Sequence, residues 1–195
     1  MPDVVAADGD LVIRRLRDRG GDYERLAAWR NSAYVKEWWD PDDPPVTPAV
    51  VAAELGPGRT DHLTTSCIIE LAGEPVGFTQ FYRWDAEVAY LAEVGLSMPK
   101  GSWGLDIFIG ESRLVGKGIG SRTVRLLSDH LFAERGATAV ALITETGNTR
   151  AQAAYVRAGM RVSGAPFRDT DTRGGQRVES IVMIRDRPGG TAGGR

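Results

Sequence analysis

Residues 105–121, LDIFIGESRLVGKGIGS, constrain this chain more than any other stretch. A β-rich run carries an acid, Asp106, near its start. A basic loop with glycine at 116, 118 and 120 follows, and an amphipathic segment begins directly after it. Strand, glycine-spaced loop and helix, in that order, gather backbone N–H groups at a helix N-terminus. Such a nest suits a phosphate or pyrophosphate, and the carboxylate lies on the strand that leads to it. A Walker-type loop is excluded, because no Lys-Ser/Thr pair follows the last glycine at the required spacing.

The remainder of the chain is consistent with one α/β domain. Residues 11–16 read as a first strand. Residues 22–34 have Tyr23, Leu26, Ala27 and Trp29 at helical spacing, with Asp22 as an N-cap, and 35–39 extend this as a short helix. Thr47 caps a helix through Leu55, with Pro48 at its first position. Residues 66–71 and 76–83 are strands around a tight turn at 72–75. Residues 88–97 fit either a strand fragment or a loop. Residues 104–110 are a strand, and 121–135 are a helix whose Val124, Leu127, Leu131 and Phe132 share one face. An apolar strand at 139–143 precedes a helix at 149–158 capped by Asn148. Strands at 160–163 and 179–185 flank a loop near Gly174 and Gly175. The expected sheet is mixed and flanked by helices.

Composition narrows the function. The chain has 195 residues, enough for a substantial core, and a net charge of −2, with no basic excess to suggest nucleic acid. No apolar run is long enough to cross a bilayer, and the acidic N-terminus lacks signal-peptide order, so a cytoplasmic protein with no membrane partner is expected. Cys67 stands alone in an apolar run and reads as core. No His/Cys/carboxylate cluster has metal spacing, and His62 and His130 read as surface residues. Residues 1–9 are expected to be flexible, 10–187 to form the domain and 188–195 to be a disordered tail.

Three ordered segments resemble the GNAT superfamily of N-acyltransferases. They are the loop 113–120, Asn148-Thr149-Arg150-Ala151 at the next helix start, and Tyr155-Val156-Arg157-Ala158-Gly159-Met160. A narrower resemblance, to the aminoglycoside 6′-N-acetyltransferases, covers most of the chain. It rests on Trp29-Arg30-Asn31, on 35–39 (VKEWW), on 73–82 (GEPVGFTQFY) and on Gly104-Leu105-Asp106. One segment departs from that pattern, 91–103 (LAEVGLSMPKGSW), where the family has an acidic and aromatic stretch. The outline is shared more loosely with the acyltransferases of siderophore synthesis.

The resemblance implies a mixed sheet splayed at a site for acetyl-CoA, the co-substrate. Phe108, Ile109, Arg113, Leu114, Val115, Gly116, Lys117, Gly118, Ile119, Gly120, Ser121, Asn148 and Arg157 are the expected cofactor contacts. Asp106 would hold the acceptor amine and take its proton, and Tyr155 would protonate the departing thiolate. Backbone N–H groups around Phe108 and Ile109 would polarise the acetyl carbonyl.

Residues 37–43 (EWWDPDD) combine four carboxylates with two tryptophans, which suits a polycationic sugar. Trp38, Asp40, Gln80, Tyr82, Glu93, Trp103 and Asp106 are the expected substrate contacts, while Trp84, Asp85 and Glu87 read as surface. No serine or cysteine with a base partner supports an acyl-enzyme, so direct transfer in a ternary complex is expected. The preferred acceptor is the 6′-amine of an aminoglycoside, with antibiotic resistance as the consequence, and the protein a monomer or homodimer. The rivals are another amine, such as a siderophore lysine side chain or a protein N-terminus, and a non-catalytic CoA-binding domain.

Overall fold

A computed structural model describes residues 3–17, 21–57 and 63–189. The strands are β1 (Val4–Asp8), β2 (Leu11–Arg15), β3 (Thr65–Leu71), β4 (Glu74–Arg83), β5 (Trp103–Ile109), β6 (Ala139–Glu145), β7 (Arg161–Arg173) and β8 (Gln176–Asp186). The helices are α1 (Asp22–Asn31), α2 (Ala33–Lys36), α3 (Pro48–Leu55), α4 (Val88–Val94), α5 (Ile119–Glu134) and α6 (Thr149–Arg157). The strands form one sheet in the order β1-β2-β3-β4-β5-β6-β8-β7. Every neighbouring pair is antiparallel except β5–β6, which is parallel because α5 carries the chain across.

Side-chain alternation divides the sheet into two faces. Leu105 packs with Val124, Leu127 and Leu131 of α5 and with Tyr155 of α6. The opposite face carries Ile68, Phe78 and Phe108 against Leu26, Trp29, Val35 and Val51 from α1–α3. Further along that face, Tyr90 and Leu91 of α4 pack with Trp84, Ala141 and Ile184. The β5–β6 junction decides what the fold can do. The two strands pair only at Trp103↔Val140 and Gly104↔Ala141 and then separate. Beyond Gly104 the facing edge of β5 has no partner on β6, so a slot opens through the sheet between its two faces.

Several expectations need correction. The N-terminal segment is not featureless: β1 pairs along β2, and Val5 and Ala6 pack on the α5 side of the core. Asp22 does not cap α1. Gly21 is the cap residue, and Asp22 is buried beneath it, accepting from Arg14 Nη1 at 2.7 Å and Nη2 at 2.9 Å. That pairing stabilises an otherwise costly buried charge. Residues 88–94 are neither strand nor loop but the helix α4. Gly95, with φ of 70°, closes it, and Leu96 N–H donates to Leu91 O at 2.9 Å, a Schellman ending. Trp84 is core, 2% exposed, rather than surface. His130 is half-buried with an unpartnered Nε2, and burial lowers its pKa. His62 and residues 190–195 of the expected tail lie outside the described residues.

Candidate active site

Two cavities meet at the slot. The first runs from the glycine loop, lined by Leu114, Val115, Gly116, Gly118, Ile119, Gly120 and Ser121, along Asn148 and then Ala151, Tyr155 and Arg157 of α6, and reaches through the slot to Trp38, Trp39 and Phe108 on the other face of the sheet. The second opens on that other face and is lined by Gln80, Tyr82, Trp84, Glu87, Tyr90, Asp106, Asp169 and Asp171, among others. Asp106, Ile143, Asp169 and Asp171 belong to both. The second holds about 520 Å³, which suits a small molecule.

The glycine loop forms the head of the first cavity. Gly116 and Gly118 have φ of 74° and 82°, a conformation that other residues adopt only with strain. Gly120 differs: its φ is not positive, yet a Cβ built there would meet nothing within 4 Å. Its missing side chain therefore leaves free space in the cavity rather than relieving the backbone. No side chain caps α5, and Ser121 Oγ turns back to Gly118 O at 2.9 Å. The first-turn amides thus remain available to an anion, and the helix dipole favours one. Leu114, Val115, Ile119 and Ser121 line the cavity as expected from their place in the loop. Arg113 and Lys117 stand outside its wall: Arg113 is exposed and 3.8 Å from Glu111, and Lys117 is exposed.

Asp106 sits where the slot crosses the sheet. Gln80 lies opposite it on β4 and donates Nε2–H to Oδ2 at 2.8 Å. Tyr82 O–H reaches Oδ1 at 3.5 Å, a long contact. Its ring can lie there only because Gly104 is opposite, where a Cβ would come within 2.3 Å of the ring. The Gly104-x-Asp106 spacing thus has a packing cause. Burial raises the Asp106 carboxyl to about 6; Gln80 and Tyr82 oppose the shift, and Asp171 and Glu87 reinforce it. A carboxyl poised there is ionised at neutral pH yet able to take a proton.

Tyr155 lines the same cleft from α6 and is 9% exposed. Burial, and secondarily the Asp106 charge, push its phenol well above its ordinary range, so it remains a proton donor. Asn148 Oδ1 accepts from Ala151 N–H at 3.1 Å and caps α6. Phe108 and Ile109 line the cleft on the part of β5 that pairs with β4 but has no β6 partner. Phe108 also packs against Trp39 and Phe78, at 5.0 and 5.5 Å between ring centroids.

The expected substrate residues divide. Gln80 and Tyr82 line the second cavity and Trp38 the first. Trp103 does not reach either: it lies at the closed end of the slot, packed on Phe81. Glu93 points away and pairs with Arg177. Asp40 is held by Arg30 at 3.2 Å. Nor is the acidic tryptophan loop free. Asp42 accepts from Thr172 Oγ1 at 2.8 Å, Gly174 N–H at 2.8 Å and Gly175 N–H at 2.9 Å, tying the loop to the β7–β8 turn.

Besides Asp106, the carboxylates that do face the second cavity are Glu87, which read as surface, Asp169 and Asp171. Asp169 is 3% exposed and accepts from Tyr90 O–H at 2.9 Å. Burial, and then Asp169, Asp40, Glu145 and Asp43, raise Asp171 to about 6. The sequence signal was available: acids at 169 and 171 occupy alternate positions before the glycine turn at 174–175. Among the described residues, no metal-binding cluster of His, Cys, Asp and Glu exists, and no helix is long and apolar enough to cross a membrane.

Comparison with known proteins agrees with this geometry. The model of the acetyltransferase (GNAT) domain matches residues 18–165. The aminoglycoside N(6′)-acetyltransferase type 1 of Klebsiella pneumoniae is 28% identical over 171 residues, covering 83% of this chain and 79% of that protein. The same values hold for the protein of that name from Serratia marcescens. A structure of AAC(6′)-Ib in complex with paromomycin and acetyl-CoA superposes with a TM-score of 0.68 at 24% identity, covering 91% of this chain and 94% of that one. The spermidine N-acetyltransferase of Vibrio cholerae, in complex with CoA and spermine, gives 0.71 at 16% identity, covering 92% and 97%. At such identities the structural matches speak to the fold. A sheet split beside a glycine loop, matched over most of its length by one family model, settles the family: this chain belongs to the GNAT acetyltransferases.

Proposed function

We propose that this acetyltransferase transfers an acetyl group from acetyl-CoA to a primary amine of a polycationic aminoglycoside, the 6′-amine, and thereby confers resistance. The observation that carries the acceptor half is the acid-walled cavity. Glu87, Asp106, Asp169 and Asp171 line it, and among the described residues no lysine, arginine or histidine does. Four like charges gathered on one cavity wall repel one another, so the wall is suited to a ligand that brings several ammonium groups. The aminoglycoside relatives support the choice of polycation.

The first cavity fits the co-substrate. The amides of 119–121 and the open space at Gly120 suit a pyrophosphate, and the space beside α6 suits the arm that follows it. Bound acetyl-CoA supplies a thioester carbonyl open to attack by an amine. Asp106 orients the acceptor ammonium and takes its proton, freeing the nitrogen lone pair. Backbone amides on the slot-facing edge of β5, near Phe108 and Ile109, offer hydrogen bonds to the carbonyl oxygen as charge develops there. Tyr155 holds its proton for the leaving sulfur. Attack is direct, with the amine on one face of the sheet and the thioester on the other.

The test is CoA release with purified protein across simple monoamines, linear polyamines, an N-terminal peptide, and kanamycin- and gentamicin-type aminoglycosides. Turnover highest with aminoglycosides is expected, together with a raised inhibitory concentration for bacteria expressing the protein. Turnover confined to the peptide or to monoamines refutes the acceptor assignment, and release with none of them refutes catalysis.

A further inference from the structure

We propose that Arg173 is a specificity-determining residue: its guanidinium occupies an outer cation subsite of the acceptor cleft and so limits how extended a polycation can bind. This rests on the acceptor class given above. Three groups form the subsite. The guanidinium lies 5.1 Å from the ring centroid of Trp38. Its Nη2 donates to Glu145 Oε1 at 2.8 Å and to the Glu37 carbonyl at 2.6 Å. An aromatic face, a carboxylate and a carbonyl are what recognise an organic ammonium group. Trp38 and Glu145 line the first cavity, which shares Asp106, Asp169 and Asp171 with the second, and Glu145 acts electrostatically on Asp171, so the subsite lies where the two cavities meet.

Arg173 is held in place from its own turn. Thr172, Gly174 and Gly175 on either side of it are tied to Asp42. The tether makes the guanidinium an intramolecular competitor, present at high effective concentration whenever the turn is docked. It is nonetheless displaceable, since its side chain is 39% exposed and Glu145 is 21% exposed. An acceptor short enough to use only Glu87, Asp106, Asp169 and Asp171 does not meet it. One with a further ammonium group at this distance has to expel Arg173 or leave that group in solvent.

The experiment compares KM for a three-ring aminoglycoside with KM for its two-ring fragment, both carrying the same reacting ring. It uses the full-length wild type, Arg173→Gln, Arg173→Lys and Asp42→Asn. The ratio of three-ring to two-ring KM is expected to fall about tenfold in Arg173→Gln, the scale of one exposed cation–carboxylate–aromatic site. Lysine restores a cation and keeps the wild-type ratio. Asp42→Asn loosens the tether and shifts the ratio the same way as glutamine, by less. A structural role alone would move both KM values together with the melting temperature and leave the ratio unchanged. An unchanged or raised ratio in Arg173→Gln overturns the proposal while leaving the function intact. A wild type inactive on every polycation overturns both.

Discussion

Replacing Asp106 by asparagine sets catalysis against stability. The carboxyl is raised from 3.8 to about 6, chiefly by burial. A folded-state pKa above the unfolded one means that the folded protein binds the proton more tightly. Stability from this group is therefore present at low pH and lost as pH rises from about 4 to about 6, and the ionised carboxylate weighs against folding above that. The shift corresponds to up to about 3 kcal/mol at pH 8. Asparagine has the same shape and no charge, and it keeps an oxygen for Gln80 Nε2. The variant should therefore melt about 5–10 °C higher than wild type at pH 8 and nearly together with it at pH 4. Its rate should fall about 10²–10⁴-fold at pH 8 for want of a base. In wild type kcat/KM should rise with pH through about 6 and level off, and this limb should vanish in the variant. Scanning calorimetry at both pH values and a pH–rate profile measure the two halves. A variant that retains the wild-type rate refutes the role of Asp106. One that gains no stability at pH 8 refutes the burial reasoning.

Tyr155→Phe should lower kcat about 10²-fold with little change in KM for acetyl-CoA, measured by steady-state kinetics; an unaltered kcat would remove Tyr155 from the proton path. Gly120→Val meets open space without backbone strain, so its melting temperature should stay within about 2 °C of wild type while KM for acetyl-CoA rises about tenfold or more. Gly104→Ala puts a methyl group 2.3 Å from the Tyr82 ring. It should cost about 1–3 kcal/mol in urea unfolding and shift the pH–rate limb of Asp106.

The first cavity was legible in the sequence because local chain order creates it. Gly116, Gly118 and Gly120 are consecutive with the helix they open, and Asn148 and Tyr155 share one short helix. Asp106 could be placed for a similar reason, since strand alternation separates it from Leu105 and Ile107. The second cavity was less legible because it is assembled from distant segments. Asp169 and Asp171 matter only because β7, an edge strand, carries them to the slot beside Asp106. Trp103 and Glu93 were misplaced for the converse reason. Each is near the site in sequence, but Trp103 falls where β5 and β6 still pair, and Glu93 turns outward to Arg177. The acidic loop has the composition of a cation-binding segment, yet its Asp42 serves the β7–β8 turn. Helix α4 was missed because it is only seven residues long; Gly95 was its one clear marker.

The most direct measurement is the chemical identity of the product. The protein is incubated with acetyl-CoA and kanamycin, and the sugar is characterised by mass spectrometry and two-dimensional NMR. A single acetyl group on the 6′-nitrogen, formed in step with CoA release and lost in Asp106→Asn, is the expected result. Unmodified kanamycin under conditions where another amine is acetylated would contradict the acceptor assignment, and an acetyl group on a different nitrogen would contradict the placement of the 6′-amine at Asp106.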